Sequence, residues 1–419
     1  MNIMTKSFLV ISTMVGLLGY CFVGPSRADN ATVLPKGAYQ IFSENAFFLP
    51  VDKQYDDHGK KQDLATPYNV PLAPLVEQIF MTPLPLGVDL GTNNFKIKLE
   101  RTELKWTPAY GLTDRLSLGA VITYIPQADT KFTGDVNTST ANFGLNPGAV
   151  SPGNPLGLAP LFVPGTNPIN INDINAVLKA NGFKPLKNVS RSGFGDTELG
   201  ARYQYYRGDN ARAAFTGGVR FPTGKKDDPD NLIDQALGND VYALLFQLQQ
   251  DWLVSGGSGL GARLGFPDPG SLYINTTFKY DLNLPDKATL RVCSRDNPVC
   301  PNKGKINRNL GDVLAAEISP VIGLMKGVIF APLYKFEYGF KDNYGANGTG
   351  LPVSVLEKNS SFQSHEVKVV LSYTTIPWVI EKKFPIPLVV SFTYRNRFAG
   401  DNYVNDSQYF GFNVTLYGK

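Results

Sequence analysis

Three tracts carry side chains of types that could do chemistry. "YDDHG" groups Asp56, Asp57 and His58, and an Asp-His pair can activate water as a general base. Neighbouring side chains on a turn point apart, however, and no serine elbow, metal quartet or phosphate loop accompanies the tract, which reads equally as a polar turn. "TGKKDDPDN" gathers Asp227, Asp228 and Asp230, oxygen ligands of the kind Ca²⁺ prefers, without the spacing of an EF-hand; a solvated turn is the simpler reading. "CSRDNPVC" brackets a proline with Cys293 and Cys300, which predicts a loop disulfide in an exported chain. His58 and His365 are the two histidines and neither is near the cysteines. No catalytic residue, cofactor or metal site is therefore assigned.

A dispersed set of charges is more informative because its spacing is regular. Glu198, Arg202, Arg212 and Arg220, then Glu317, Lys335, Glu337, Glu366, Lys368, Arg395 and Arg397, alternate with apolar neighbours such as Leu199, Tyr203, Phe336, Val367, Phe392 and Tyr394. A period of two is that of a strand with one apolar and one polar face. Twelve such segments are read, at roughly 37–49, 94–109, 114–125, 195–205, 210–222, 240–254, 271–282, 311–324, 327–341, 364–375, 385–398 and 406–418. Lengths near ten or above exceed the usual globular strand and suit a tilted strand crossing a bilayer. Two segments disobey. In "FKIKLERTELKW" the apolar set changes from Phe95, Ile97 and Leu99 to Leu104 and Trp106, which predicts a bulge or an extension beyond the bilayer, and "AYQIFSENAFFL" has no clear parity.

The connections alternate long and short, the arrangement of a transmembrane barrel with large outer loops and tight inner turns. The N-terminus agrees: Lys6, the apolar run "SFLVISTMVGLLGYCFVG" and the small residues Ser26 and Ala28 predict a signal peptide over 1–28. Removing Lys6 and Arg27 leaves 38 basic against 36 acidic residues, a balance that offers nucleic acid no net attraction. The fold class expected is all-β: a transmembrane antiparallel up-and-down β-barrel of about twelve strands spanning 29–419, with long extracellular loops and short periplasmic turns. An open edge cannot persist in hydrocarbon, so the sheet must close, its apolar faces on outer-membrane lipid and its charges inside. Those inward charges are the lumen and permeation candidates, or else a network that stabilises the wall.

Twelve strands enclose more than side chains alone fill in an eight-stranded barrel. The connection 126–194 is the candidate constriction. In "NDINAVLKANGFKPL", Asn172 or Asp173 would cap a short helix, Ile174, Val177 and Leu178 would line one face, and Gly182 would end it. That face is expected to fold inward as a constriction or ligand-contacting lid, the alternative being packing on other loops. Only "DNATVLPK" precedes the first strand, so no N-terminal hatch is expected.

The strings "YGLTDRLSLG", "GFGDTELGARYQY" and "GVRFPTGKKDDPDN" resemble those of the outer-membrane transporters described from the meta-pathway of phenol degradation, and the plan is similar to that of the long-chain fatty-acid and hydrocarbon uptake channels. The last strand, "SQYFGFNVTLYGK", resembles the C-terminal signal read by the outer-membrane assembly machinery. The resemblance implies an outer-membrane location in a Gram-negative bacterium and passive uptake of small molecules, hydrophobic or aromatic ones among them. A structural or adhesive barrel, or a surface hydrolase, is the alternative function.

Overall fold

The computed structural model describes residues 30–80, 83–256, 267–293 and 302–418. The expected signal peptide and Cys300 lie outside them; Cys293, the other half of the expected disulfide, is buried. Twelve strands among these residues close a barrel: β1 (Tyr39–Phe48), β2 (Thr92–Thr113), β3 (Leu116–Asn137), β4 (Val189–Arg207), β5 (Ala211–Phe221), β6 (Ala243–Ser255), β7 (Leu272–Asn283), β8 (Val313–Met325), β9 (Val328–Gly339), β10 (Phe362–Thr374), β11 (Leu388–Gly400) and β12 (Gln408–Gly418). Each pairs antiparallel with its sequence neighbour, and β1 closes on β12 from Tyr39↔Gly418 to Phe48↔Tyr409. No sheet edge in the barrel is left unpaired, as hydrocarbon demands.

The side-chain period shows which solvent each face meets. On β11, Phe392 is 63% exposed while Arg395, three residues on, is 5% exposed. The outer face also presents Tyr203, Phe215, Trp252, Phe278, Leu371 and Phe410, an apolar belt that only lipid can cover at low cost. Strands β2 and β3 run to 22 residues each; β3 continues twelve residues past its predicted end at 125, whereas β2 exceeds its predicted 94–109 by two residues at one end and four at the other. The parity of β2 does not change along its length. Odd-numbered residues from Asn93 to Ala109 stay on the buried side, but in the outer half that side carries Phe95 and Ile97, and Lys96 and Lys98 face outward. The strand has left the bilayer, so water replaces lipid on its outer face and loops replace the lumen on its inner one. A bulge also interrupts pairing with β3 between Thr102 and Leu104.

Loops on the outer side carry their own structure. Helices α1 (Leu72–Phe80) and α2 (Ile171–Ala180) and a hairpin of Asp286–Arg291 with Lys303–Asn309 stand there. A loop core gathers Val51, Tyr68, Phe95, Ile97, Leu178, Phe183, Leu186 and Ile233. The short connections lie at the opposite end, one of them holding α3 (Ile376–Ile380).

Candidate functional site

Alternation turns every second residue of a strand inward, charged ones among them, and pairing across strands decides what those charges do. Arg220 on β5 donates from Nε to Glu198 Oε1 on β4 at 2.8 Å and from Nη2 to Asp281 Oδ2 on β7 at 2.7 Å. Lys279 meets Glu317 at 2.5 Å. Lys335 pairs with Glu337 and lies 3.8 Å from Glu366, which also takes Arg395 and, at 3.8 Å, Arg397. Lys368 stands in the field of Glu44 and Glu317, and Arg212 in that of Asp251. The sequence reading missed Glu44, Glu103 and Lys105, which join the wall through Lys105–Glu44 at 3.9 Å and Arg101–Glu103 at 2.7 Å. On β1 the inward set mixes Phe42 with Gln40 and Glu44, which hid its parity. Most of these groups are buried, so the middle of the barrel is a neutralised, packed wall in which each charge offsets the desolvation of its neighbour.

Residues 30–36 cross the inner mouth and bond to its wall, contrary to the expectation of no N-terminal hatch. The Ala31 amide donates to both Asp251 oxygens at 3.1 and 3.0 Å; Arg202 Nη1 donates to the Asn30 carbonyl at 3.0 Å, and Gln204 Nε2 to the Ala31 carbonyl at 2.6 Å. The Leu34 amide donates to Ser117 Oγ at 2.8 Å and that of Lys36 to Asp114 at 3.0 Å. Ala31 is fully buried. Arg202, a lumen candidate, is thus an anchor for this segment. Gly111 lies against the same segment, where a Cβ would overlap the Pro35 carbonyl oxygen.

At the outer mouth α2 forms where expected, but its cap is Asn170, two or three residues before the expected Asn172 or Asp173. Asn170 caps it and Asp173 returns the bond, the Asn172 amide donating to Asn170 Oδ1 at 2.8 Å and the Asn170 amide to Asp173 at 2.9 Å. Gly182 follows with φ +76°. Leu178 and Ile174 pack into the loop clusters, with Val177 half-buried. The helix therefore docks on other loops, and it is Phe183, just beyond it, that reaches the mouth.

Two strings of the sequence resemblance meet beside this loop core. Asp196, from "GFGDTELG", accepts from the Gly224 amide of "FPTGKK" at 2.9 Å and from the Asn239 amide at 2.6 Å. Arg191 holds the same connection through Asp234 and through the Gln235 carbonyl at 2.9 Å. Asp196 is a rim latch that periodicity alone could not mark. The aspartates weighed as Ca²⁺ ligands have protein partners: Asp230 takes Arg291 and Lys303, at 2.7 and 2.6 Å, and Asp228 takes Lys184 at 2.5 Å. Burial opposes ionisation of both, but these cations outweigh it and hold them below the usual carboxylate range. Burial, reinforced by Asp234, pushes Asp227 up to about 8. In "YDDHG" the side chains do meet, with His58 Nδ1 2.9 Å from Asp57 Oδ1, while the His58 and Lys60 amides donate to Asp56 at 2.9 and 2.8 Å. This is a hydrogen-bonded surface turn.

Between these loops lies a cavity of about 580 Å³. Its lining mixes aromatic and aliphatic groups, Phe183, Leu290, Phe340 and Phe362 among them, with Lys, Arg and Asp side chains; Arg397, Asn283 and Val313 of the barrel strands also line it.

Residues 154–267 match the family model described as "Putative MetA-pathway of phenol degradation", a span that contains two of the three strings quoted above. No curated protein matches the chain in sequence. Among solved structures, an outer membrane channel from Pseudomonas putida F1 superposes with a TM-score of 0.50 at 12% identity, covering 94% of this chain and 100% of that one. A Pseudomonas aeruginosa FadL homologue gives 0.34 at 10% identity over 98% and 99% of the two chains. The TodX monoaromatic hydrocarbon channel, as a deletion mutant, gives 0.36 at 8% over 98% and 99%. The first of these matches shares the fold of this closed twelve-strand barrel.

Proposed function

We propose that this outer-membrane barrel passes small molecules passively across the membrane, and that hydrophobic or aromatic compounds are among its cargo. The observation that carries the reading is the partly aromatic cavity at the outer mouth, large enough for a drug-sized ligand, with barrel residues in its wall. The resemblance of 154–267 to the phenol-degradation family supports the same cargo class. Passage requires the N-terminal segment to leave the inner mouth or to yield beside it.

A second reading is favoured by a different observation. The buried ion pairs of the mid-lumen suit a barrel whose interior is there for stability, with the outer loops acting as a structural or adhesive surface. Purified protein in liposomes separates the two. A channel admits labelled small solutes such as phenol or benzoate faster than protein-free vesicles do. Equal rates with and without protein, for every solute tried, would leave only the structural reading.

A further inference from the structure

We infer that the outer cavity is a binding site for small organic carboxylates with an apolar or aromatic body, selected by Lys287 and Lys305. This deepens the channel reading and rests on it for the cargo's onward path.

The first premise is charge. Eight Lys and Arg residues line the described cavity against four Asp. On the outer hairpin, Arg291 and Lys303 are directly opposite each other, a like-charge rung that is unfavourable alone. Asp230 resolves it by bonding to both, at 2.7 and 2.6 Å. Arg308 is likewise matched by Asp286 at 2.7 Å and Asp240 at 3.3 Å. Two residues along the first face, Lys305 stands opposite Thr289 with Lys287 on its diagonal. Here no described carboxylate plays the part of Asp230. Lys287 Nζ donates to Asn347 Oδ1 at 3.1 Å, and Asn347 Nδ2 donates to the Lys305 backbone carbonyl at 3.1 Å, so the group that Lys287 meets here is a neutral amide. Both lysines are exposed to the cavity. One rung of this cationic face has its anion built in, and the next does not.

The second premise is a further buried cation. Arg397 lines the cavity with its side chain 7% exposed and 3.8 Å from Glu366, and its Nε has no hydrogen-bond partner. The third is the apolar lining. The guanidinium of Arg291 lies 4.0 Å from the Phe183 ring centroid, and Leu290, Phe340 and Phe362 add apolar surface. A carboxylate with a ring or chain satisfies both parts of such a wall: its oxygens supply the missing anion and its body covers the apolar surface. Asp227, one of the four lining aspartates, has its ionisation opposed by burial.

The test is ligand binding to the detergent-solubilised full chain, by saturation-transfer NMR or calorimetry, with benzoate, the neutral benzamide and the bodiless acetate as probes. Benzoate is expected to bind about fivefold more tightly than benzamide, as for an exposed ion pair near the strong end of its range, to exceed acetate, and to lose its advantage over benzamide as salt is raised. The K287Q/K305Q variant should bind benzoate and benzamide alike, while K287R/K305R keeps the preference. Equal binding of benzoate and benzamide by the wild type, or an undiminished preference in K287Q/K305Q, overturns the inference. Solute flux into liposomes is measured beside it: carboxylate binding without flux removes the channel reading alone, and flux without carboxylate preference removes this inference alone.

Discussion

The Arg220 cluster offers the sharpest check on the idea that the mid-lumen is a packed electrostatic wall. Its side chain is 4% exposed and satisfies Glu198, 5% exposed, and Asp281, 16% exposed, at once. R220Q removes the cation and keeps most of the volume, leaving two carboxylates facing one another in a site with little water. Removing one partner from a buried ionic arrangement costs about 3–5 kcal/mol. The neutral triple variant E198Q/R220Q/D281N lacks the stranded charges and should recover to within about 1 kcal/mol of wild type, since neutral hydrogen bonds and packing remain. Urea unfolding and refolding in phospholipid vesicles, followed by the electrophoretic shift between folded and unfolded barrel, measures all three. A single variant as stable as wild type, or a triple variant no better than the single, would refute the reasoning. In the former case Arg220 would stand in water, as a residue of an open permeation path does.

Gly111→Ala drives a methyl group into the Pro35 carbonyl and should displace the N-terminal segment at a cost of about 1–3 kcal/mol. Planar-bilayer recordings should then show larger unitary conductance, as should deletion of residues 30–34; currents identical to wild type in both would mean that the segment does not limit passage. Asp227 gives a pH signature. In the unfolded loop it ionises near 4, but folded it holds its proton to about 8, so folding takes up a proton between those values and loop stability falls as pH rises through that window. Asp228 and Asp230, held low by Lys184 and by Arg291 with Lys303, contribute oppositely and lose their effect only in acid. Trypsin cleavage within 222–242, corrected for the enzyme's own pH profile, should therefore quicken between about pH 6 and 8 in wild type, on the scale of the Asp227 shift, and stay flat in D227N; equal slopes would sink this account.

Strand number, connection lengths and the inward set were legible because lipid and lumen impose opposite polarities on alternate residues, a constraint written into every spanning segment. Glu198, Arg220, Glu366 and Arg395 could be placed inside on that basis, though not matched with partners, because register between strands carries little local signal. What stayed hidden depended on contacts distant in sequence. Ala31 finds Asp251 only after the barrel has closed. Asp196 looks like any strand-edge acid until the Gly224 turn folds back onto it. The outer end of β3 was missed because beyond residue 125 its inward side chains, Phe132 and Val136 among them, pack on loop clusters, so the polarity that lipid and lumen impose no longer marks the strand. The helix face of Ile174 and Leu178 was visible as apolar, but its burial partner was set by which loop lay nearest.

The unequal height of the wall also bears on what approaches the molecule. β1 makes its last rung with β2 at Phe47↔Thr102, whereas β2 and β3 remain paired out to Thr92↔Asn137. That adds about 30 Å of strand beyond the last rung with β1, so the wall stands higher along β2 and β3 than beside β1. A solute diffusing in from that side meets its tip, near residues 138–141, before it reaches the mouth.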